Sequence, residues 1–160
     1  MKNEVILREV LPADLPIFYN HQMDPVATRM AAFPSRDIDA FNTHWQKIIK
    51  DNSVYLRTIL YNGIVAGNIV CWEHDGEREV GYWLGQEFWG MGIATLSVTQ
   101  FLKVVAERPL FAHVARHNAG SLRVLDKCGF KVLREAQCAA YTGSMQTDEV
   151  IMKLENWVKD

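Results

Sequence analysis

The sequence predicts an α/β (α+β) domain, a mixed sheet with helices packed on it, in the order βααβββαβαββ. Three features carry that prediction. Apolar, β-branched runs lie between turn residues; Asn62-Gly63 and Asp75-Gly76 join such runs as tight hairpins; and other stretches repeat their apolar residues at helical spacing. At 160 residues the chain fits a single domain, residues 1–160, able to bury a core without staples.

The opening "EVILREV" alternates as a strand does, and "PADLPIFYNHQMD" follows as a first helix with Pro12 in its first turn. A second helix is predicted over "DIDAFNTHWQKIIKD", where Ile38, Phe41, Trp45 and Ile48 share a face. "VYLRTILYNGIVAGNIVCW" and "REVGYWLG" form an antiparallel meander of about three strands. After Gly90 and Gly92, the residues Ala94, Val98, Phe101, Leu102 and Val105 lie on one side of a helix that Pro109 stops. "LFAHVA" is the next strand. Asn118 then caps a short helix in which Leu122, Leu125 and Cys128 share a side, and Gly129 supplies its left-handed terminus. Strands around "FKVLREAQ" and "EVIMKLE" complete the sheet.

Composition narrows the function. A net charge of -2 gives no basic field to drive non-specific nucleic-acid binding. "MKNEVILREV" lacks the apolar core of a secretory signal, and the apolar stretch from Val54 to Trp72 is broken by Arg57, Asn62 and Asn68. A cytoplasmic protein with no membrane partner is expected. Cys71, Cys128 and Cys138 are odd in number and have no metal-ligand spacing, so they read as reduced thiols, Cys128 as a buried helix residue rather than a nucleophile. His113 and His117 flank a strand end without carboxylate or cysteine partners at ligand spacing, and no metal is expected.

The chemistry concentrates in "GYWLGQEFWGMGIAT". A glycine turn between a strand and a helix presents backbone N–H groups beside the positive end of the helix dipole, which suits a pyrophosphate. Three cofactor classes compete for it. A P-loop requires Gly-Lys-Ser/Thr, whereas this turn ends Gly92-Ile93-Ala94-Thr95. A dinucleotide fingerprint, with an oxidoreductase as its consequence, wants a third glycine where Thr95 stands and a doubly wound sheet. Acyl-CoA is the third.

"EVGYWLGQEFWGMGIAT" followed by "RPLFAHVARHNAGSLRVLDKCGF" resembles the GNAT N-acetyltransferase superfamily, specifically its ribosomal-protein N-acetyltransferase-like (RimJ/RimL-like) branch. The likeness covers residues 78 to 135 closely and the order of elements loosely. It implies a mixed, mostly antiparallel central sheet of about six to seven strands with helices on both faces, and acetyl-CoA as co-substrate. By resemblance the cradle is Trp89, Gly90, Met91, Gly92, Ile93, Ala94 and Thr95, with Trp89 in place of the family's leading Gln/Arg, and its amides hold the pyrophosphate. The strand through Tyr82, Trp83 and Leu84 would pair its backbone with the pantetheine arm, and Asn118 and Ser121 would lie near it, Ser121 close to the sulfur.

Acetyl transfer to an amine requires a base for the ammonium, a donor for the carbonyl oxygen and a proton for the departing thiolate. Glu79, on the strand leading into the cradle, is the candidate base, with Glu73, His74 and Glu77 in reserve; a backbone N–H near Leu84 is the candidate oxyanion donor. Many family members protonate the thiolate with a tyrosine at the position of Leu125, so the general acid is unassigned and a non-catalytic acyl-CoA-binding module is the competing reading. For the acceptor, resemblance points to Met30, Phe33, Trp72 and Tyr141; Trp45, on a helical stripe, reads as core. The lack of an acidic run speaks against a polycationic acceptor and leaves a peptide α-amine or an amino-acid-like metabolite. Aromatics near the sheet edge are compatible with a homodimer.

Overall fold

The computed structural model describes residues 3–140 and 147–156. Within these residues seven strands form one sheet: β1 (Val5–Arg8), β2 (Tyr55–Tyr61), β3 (Ile64–His74), β4 (Glu77–Leu84), β5 (Leu110–Ala115), β6 (Lys131–Ala140) and β7 (Thr147–Leu154). Their spatial order is β1-β2-β3-β4-β5-β7-β6. Every neighbouring pair is antiparallel except β4 and β5. The mixed, mostly antiparallel sheet is therefore as expected, and both predicted hairpin turns are left-handed, at Asn62 (φ 50°) and Gly63 (φ 82°) and at Asp75 (φ 51°) and Gly76 (φ 80°).

Among the described residues five α-helices flank the sheet: α1 (Leu15–Gln22), α2 (Pro25–Ala31), α3 (Ile38–Lys50), α4 (Ile93–Val104) and α5 (Ala119–Lys127). The sequence reading had one helix before α3 where there are two. The additional α2 starts because Asp24 accepts a hydrogen bond from the Val26 N–H at 2.9 Å with Pro25 in its first turn. It stops at Ala32, which is left-handed at φ 52°. Helix α4 also ends short of Pro109, because Val105 is already extended.

Strand alternation sorts the side chains onto two faces. Val80 and Leu84 of β4 join Phe101, Val98, Leu110, Leu125 and Phe130 in the main core under α4 and α5. The opposite face is covered by α1 and α3, where Phe18, Phe41 and Trp45 pack; Trp45 lies 5.1 Å from Phe18 between ring centroids and is core, as its stripe predicts. Burying side chains of this size contributes about 1.5–3 kcal/mol each. Asp14 ties the first helical segment to the sheet: it is 2% exposed and accepts bonds from Arg8 Nη1 (2.7 Å) and Nη2 (2.9 Å), Thr58 Oγ1 (2.7 Å) and the Leu11 N–H (2.8 Å). No helix among the described residues is long and apolar enough to cross a membrane.

Candidate active site

The sheet opens at its centre. Parallel strands β4 and β5 pair only at Glu79 and Phe111, and beyond that point they diverge. One edge of β4 from Gly81 to Leu84 stays paired with β3, while the other faces the split. Backbone groups alternate in direction along a strand, and the Gly85 N–H donates to Ala66 on the β3 side at 2.9 Å. The N–H and C=O of Leu84 therefore point into the split, where the carbonyl accepts from Trp89 Nε1 at 3.1 Å.

A cleft of about 640 Å³ lies over this opening, walled by Tyr82–Leu84, the turn before α4, the first residues of α4, and Asn118–Ser121. Gly90 (φ 74°) and Gly92 (φ 80°) are left-handed, and a Cβ added at either would meet no atom within 4 Å. The turn thus needs glycine for its backbone and leaves open space above it. The first helical bond of α4 runs from the Leu96 N–H to the Gly92 carbonyl at 3.2 Å, so the amides of Ile93, Ala94 and Thr95 have no helical acceptor, and no side chain caps the helix. Helix α5 differs: Asn118 Oδ1 accepts from the Ser121 N–H at 3.2 Å. Arg123 and Lys127, one turn apart on α5, bring positive charge to the same cleft.

Along β4 the functional side chains divide between the faces. Tyr82 points to the α4/α5 side, where its hydroxyl donates to Ser121 Oγ at 3.1 Å. Burial pushes the Tyr82 phenol up, against a smaller lowering by Ser121, so it holds its proton at neutral pH. Glu79 points to the opposite face and is only 7% exposed. Its carboxyl is raised by burial first, opposed by His113 and His74 and reinforced by Glu77 and Glu149. His113 Nε2 stands 3.6 Å from Glu79 Oε1, and His113 Nδ1 lies 2.8 Å from Glu149 Oε1.

Of the cradle residues expected from sequence, Trp83, Leu84, Trp89, Gly90, Gly92, Ile93, Ala94, Thr95, Asn118 and Ser121 line the cleft, while Met91 is 49% exposed and does not. Met30 of α2 lines it too. Phe33 lies outside it, carrying the Arg36 guanidinium 5.1 Å from its ring centroid. Trp72 also lies outside it, with its ring edge 3.2 Å from where a Cβ on Gly81 would sit. Tyr141 lies outside the described residues. Leu125 is core at 2% exposure. His117 Nε2–H donates to the Arg29 carbonyl at 2.8 Å, closing the cleft against α2. Cys71 and Cys128 are buried, and burial pushes the Cys71 thiol up to about 11. Among the described residues no group of three or more metal-ligating side chains is placed to hold an ion.

The family described as Acetyltransferase (GNAT) domain matches residues 4–131. The chain belongs to the GNAT acetyltransferase family. No curated protein sequence matches it. Its fold is similar to a spermidine N-acetyltransferase from Vibrio cholerae, solved with CoA and spermine, at a TM-score of 0.84 and 16% identity over 96% of both chains. It is similar also to RimL, the ribosomal L7/L12 alpha-N-protein acetyltransferase, solved with CoA (TM-score 0.79, 16% identity, 96% of this chain and 95% of that one). The Microcin C7 self immunity acetyltransferase MccE, solved with acetyl-CoA and AMP, gives a TM-score of 0.79 at 20% identity over 97% of this chain and 94% of that one.

Sequence reading of this GNAT chain missed the side chain of Tyr82, taken there only as a backbone partner. It also set His113 aside as lacking carboxylate neighbours; those carboxylates come from β4 and β7. A tyrosine beside the cradle was visible in "GYWLG", but only the packing of α5 on β4 sets its hydroxyl against Ser121.

Proposed function

We propose that the protein transfers the acetyl group of acetyl-CoA to a primary amine, as a RimJ/RimL-like N-acetyltransferase. The observation that carries this reading is the union of a split sheet with an uncapped helix start behind two left-handed glycines. The amides of Ile93–Thr95 and the charges of Arg123 and Lys127 suit a pyrophosphate, and the free edge of β4 suits an amide-bearing pantetheine arm. Gly92 holds the space a Cβ would take.

The two faces divide the work. Glu79, poised by burial towards neutral pH, takes a proton from the acceptor ammonium, directly or through water. The amine attacks the thioester carbonyl, whose oxygen gathers negative charge towards the Leu84 N–H. As the C–S bond breaks, Ser121 passes a proton from Tyr82 to the thiolate. Of the two protons the ammonium loses, one leaves through Glu79 and the other restores Tyr82. The acceptor is a peptide α-amine or an amino-acid-like metabolite, entering between Met30 of α2 and the Glu79 face of the sheet.

Titration calorimetry with acetyl-CoA and with NADPH tests the reading, using Gly92→Trp to fill the cradle. Micromolar acetyl-CoA binding that Gly92→Trp abolishes is expected, together with turnover of an amine that Glu79→Gln lowers without changing acetyl-CoA affinity. Preference for NADPH, or no acetyl-CoA binding, overturns it. Binding with no turnover across a broad amine panel leaves a binding module instead.

A further inference from the structure

We infer that His113 and Glu149 complete a proton path from Glu79 to solvent, His113 taking the proton onward and Glu149 fixing its ring. The inference rests on Glu79 acting as the base. Its ground is a juxtaposition that no neighbouring stretch of sequence contains: three side chains from β4, β5 and β7 meet on one face, directly below the split.

The chemistry follows from the acceptors. A carboxylate can only accept, so the 2.8 Å contact with Glu149 places a hydrogen on His113 Nδ1. Nε2 is left facing Glu79 at 3.6 Å. In the neutral ring that nitrogen is a lone pair opposite a carboxylate, an arrangement that a shared proton relieves. The Glu79 side chain is 10% exposed and poorly placed to exchange with bulk water, whereas the His113 side chain, at 26%, reaches solvent. Atoms and charge balance along the path. The acceptor ammonium N–H breaks and a Glu79 O–H forms; that proton moves to Nε2, giving an imidazolium between two carboxylates; Nε2–H then yields it to water, returning all three groups to their starting state.

The charged surroundings are compatible with this path. His74 of β3 and Glu77 of β4 act on Glu79 from the hairpin end, the first lowering and the second raising its carboxyl. Lys153 of β7 stands 5.8 Å from the Phe111 ring centroid and is paired with Glu155 at 2.9 Å. Ala32, just past the end of α2, packs with Ala115 of β5. An exposed cross-strand ion pair, by contrast, is held only weakly and has no reason to respond to Glu79.

Nuclear magnetic resonance of the histidine rings, in ¹⁵N-labelled full-length protein across pH, separates the two. His113→Asn assigns the signal. The expected neutral form carries its proton on Nδ1, and Glu79→Gln shifts the Nε2 resonance, because that nitrogen no longer faces a carboxylate. An Nε2–H tautomer, or an Nε2 resonance unchanged by Glu79→Gln, overturns the path. Neither readout needs turnover, so either can fail while the acetyltransferase reading stands. In turnover of the best amine from the panel, His113→Asn raises the Glu79 carboxyl and moves the acid limb of the kcat profile to higher pH. On that limb kcat falls about tenfold for each pH unit the limb moves, and it recovers at alkaline pH. Equal loss at every pH marks a merely structural role and also overturns the path. Loss of turnover in Glu79→Gln tests the activity reading separately.

Discussion

Replacing Gly67 by alanine puts the geometry of the β4 wall to a direct test. Gly67 lies in β3 opposite Leu84, and its backbone is outside the left-handed region, so alanine brings no conformational strain of its own. The added Cβ would lie 2.0 Å from the Trp83 carbonyl oxygen and 3.0 Å from the Leu84 Cα. Carbon and oxygen in adjacent strands approach to about 3.3 Å, so the strands must separate locally by about 1.3 Å. Both obstacles are backbone, and no rotamer change relieves them. Overpacking of this kind costs about 3 kcal/mol at the upper end of its usual range, a large share of a total near 5–15 kcal/mol. At about 2–4 °C per kcal/mol the melting temperature falls by about 6–12 °C. The displacement falls on the segment that forms the cleft, so acetyl-CoA affinity falls with it. Gly63→Ala is the control: nothing lies within 4 Å of its Cβ, but φ is 82°, so it costs about 1–2 kcal/mol with no change in binding. Circular-dichroism melts and titration calorimetry read both effects. A Gly67→Ala protein that melts and binds as the wild type does refutes the close approach of β3 and β4.

Two further outcomes follow from the described contacts. Tyr82→Phe removes the hydroxyl that donates to Ser121, the proposed proton source, and is expected to lower kcat by about tenfold or more while acetyl-CoA affinity is kept; unchanged kcat in steady-state assays assigns the acid elsewhere. Asp14 is buried, which raises its carboxyl, yet the bonds from Arg8, Thr58 and the Leu11 N–H outweigh that and hold it below its ordinary range. Its folded pKa is thus below its unfolded one. The stability it contributes is complete above about pH 4 and is lost as pH falls through the folded value. Urea unfolding across acid pH is expected to show that loss, and Asp14→Asn to flatten it; an equally steep acid limb in the variant would place the titration on another group.

Much of the local structure was legible because its causes are local. Asn-Gly and Asp-Gly pairs tolerate positive φ at both centres, and both turned out left-handed. Asp37 caps α3 through the Ala40 N–H at 2.8 Å, and Asn118 caps α5, each at the position its residue type favours. Helix α2 escaped notice because its seven residues are too few for a clear period, although Asp24-Pro25 was a start signal. The carboxylates around His113 escaped notice for a different reason. The sequence has no acidic run, yet Glu79 and Glu149, 70 positions apart along the chain, both stand within 3.6 Å of His113.

The sequence by itself determined the succession of strands and helices and the glycine turn, since propensity, capping and positive φ act over a few residues. Only the tertiary structure decided what that turn faces. Placing β7 between β5 and β6, and letting β4 part from β5 after a single pair, depends on long-range strand pairing that no local pattern encodes. That order puts Tyr82 with Ser121 on one face and Glu79 with His113 and Glu149 on the other. Strand alternation turns a three-residue step along β4 into opposite sides of the sheet.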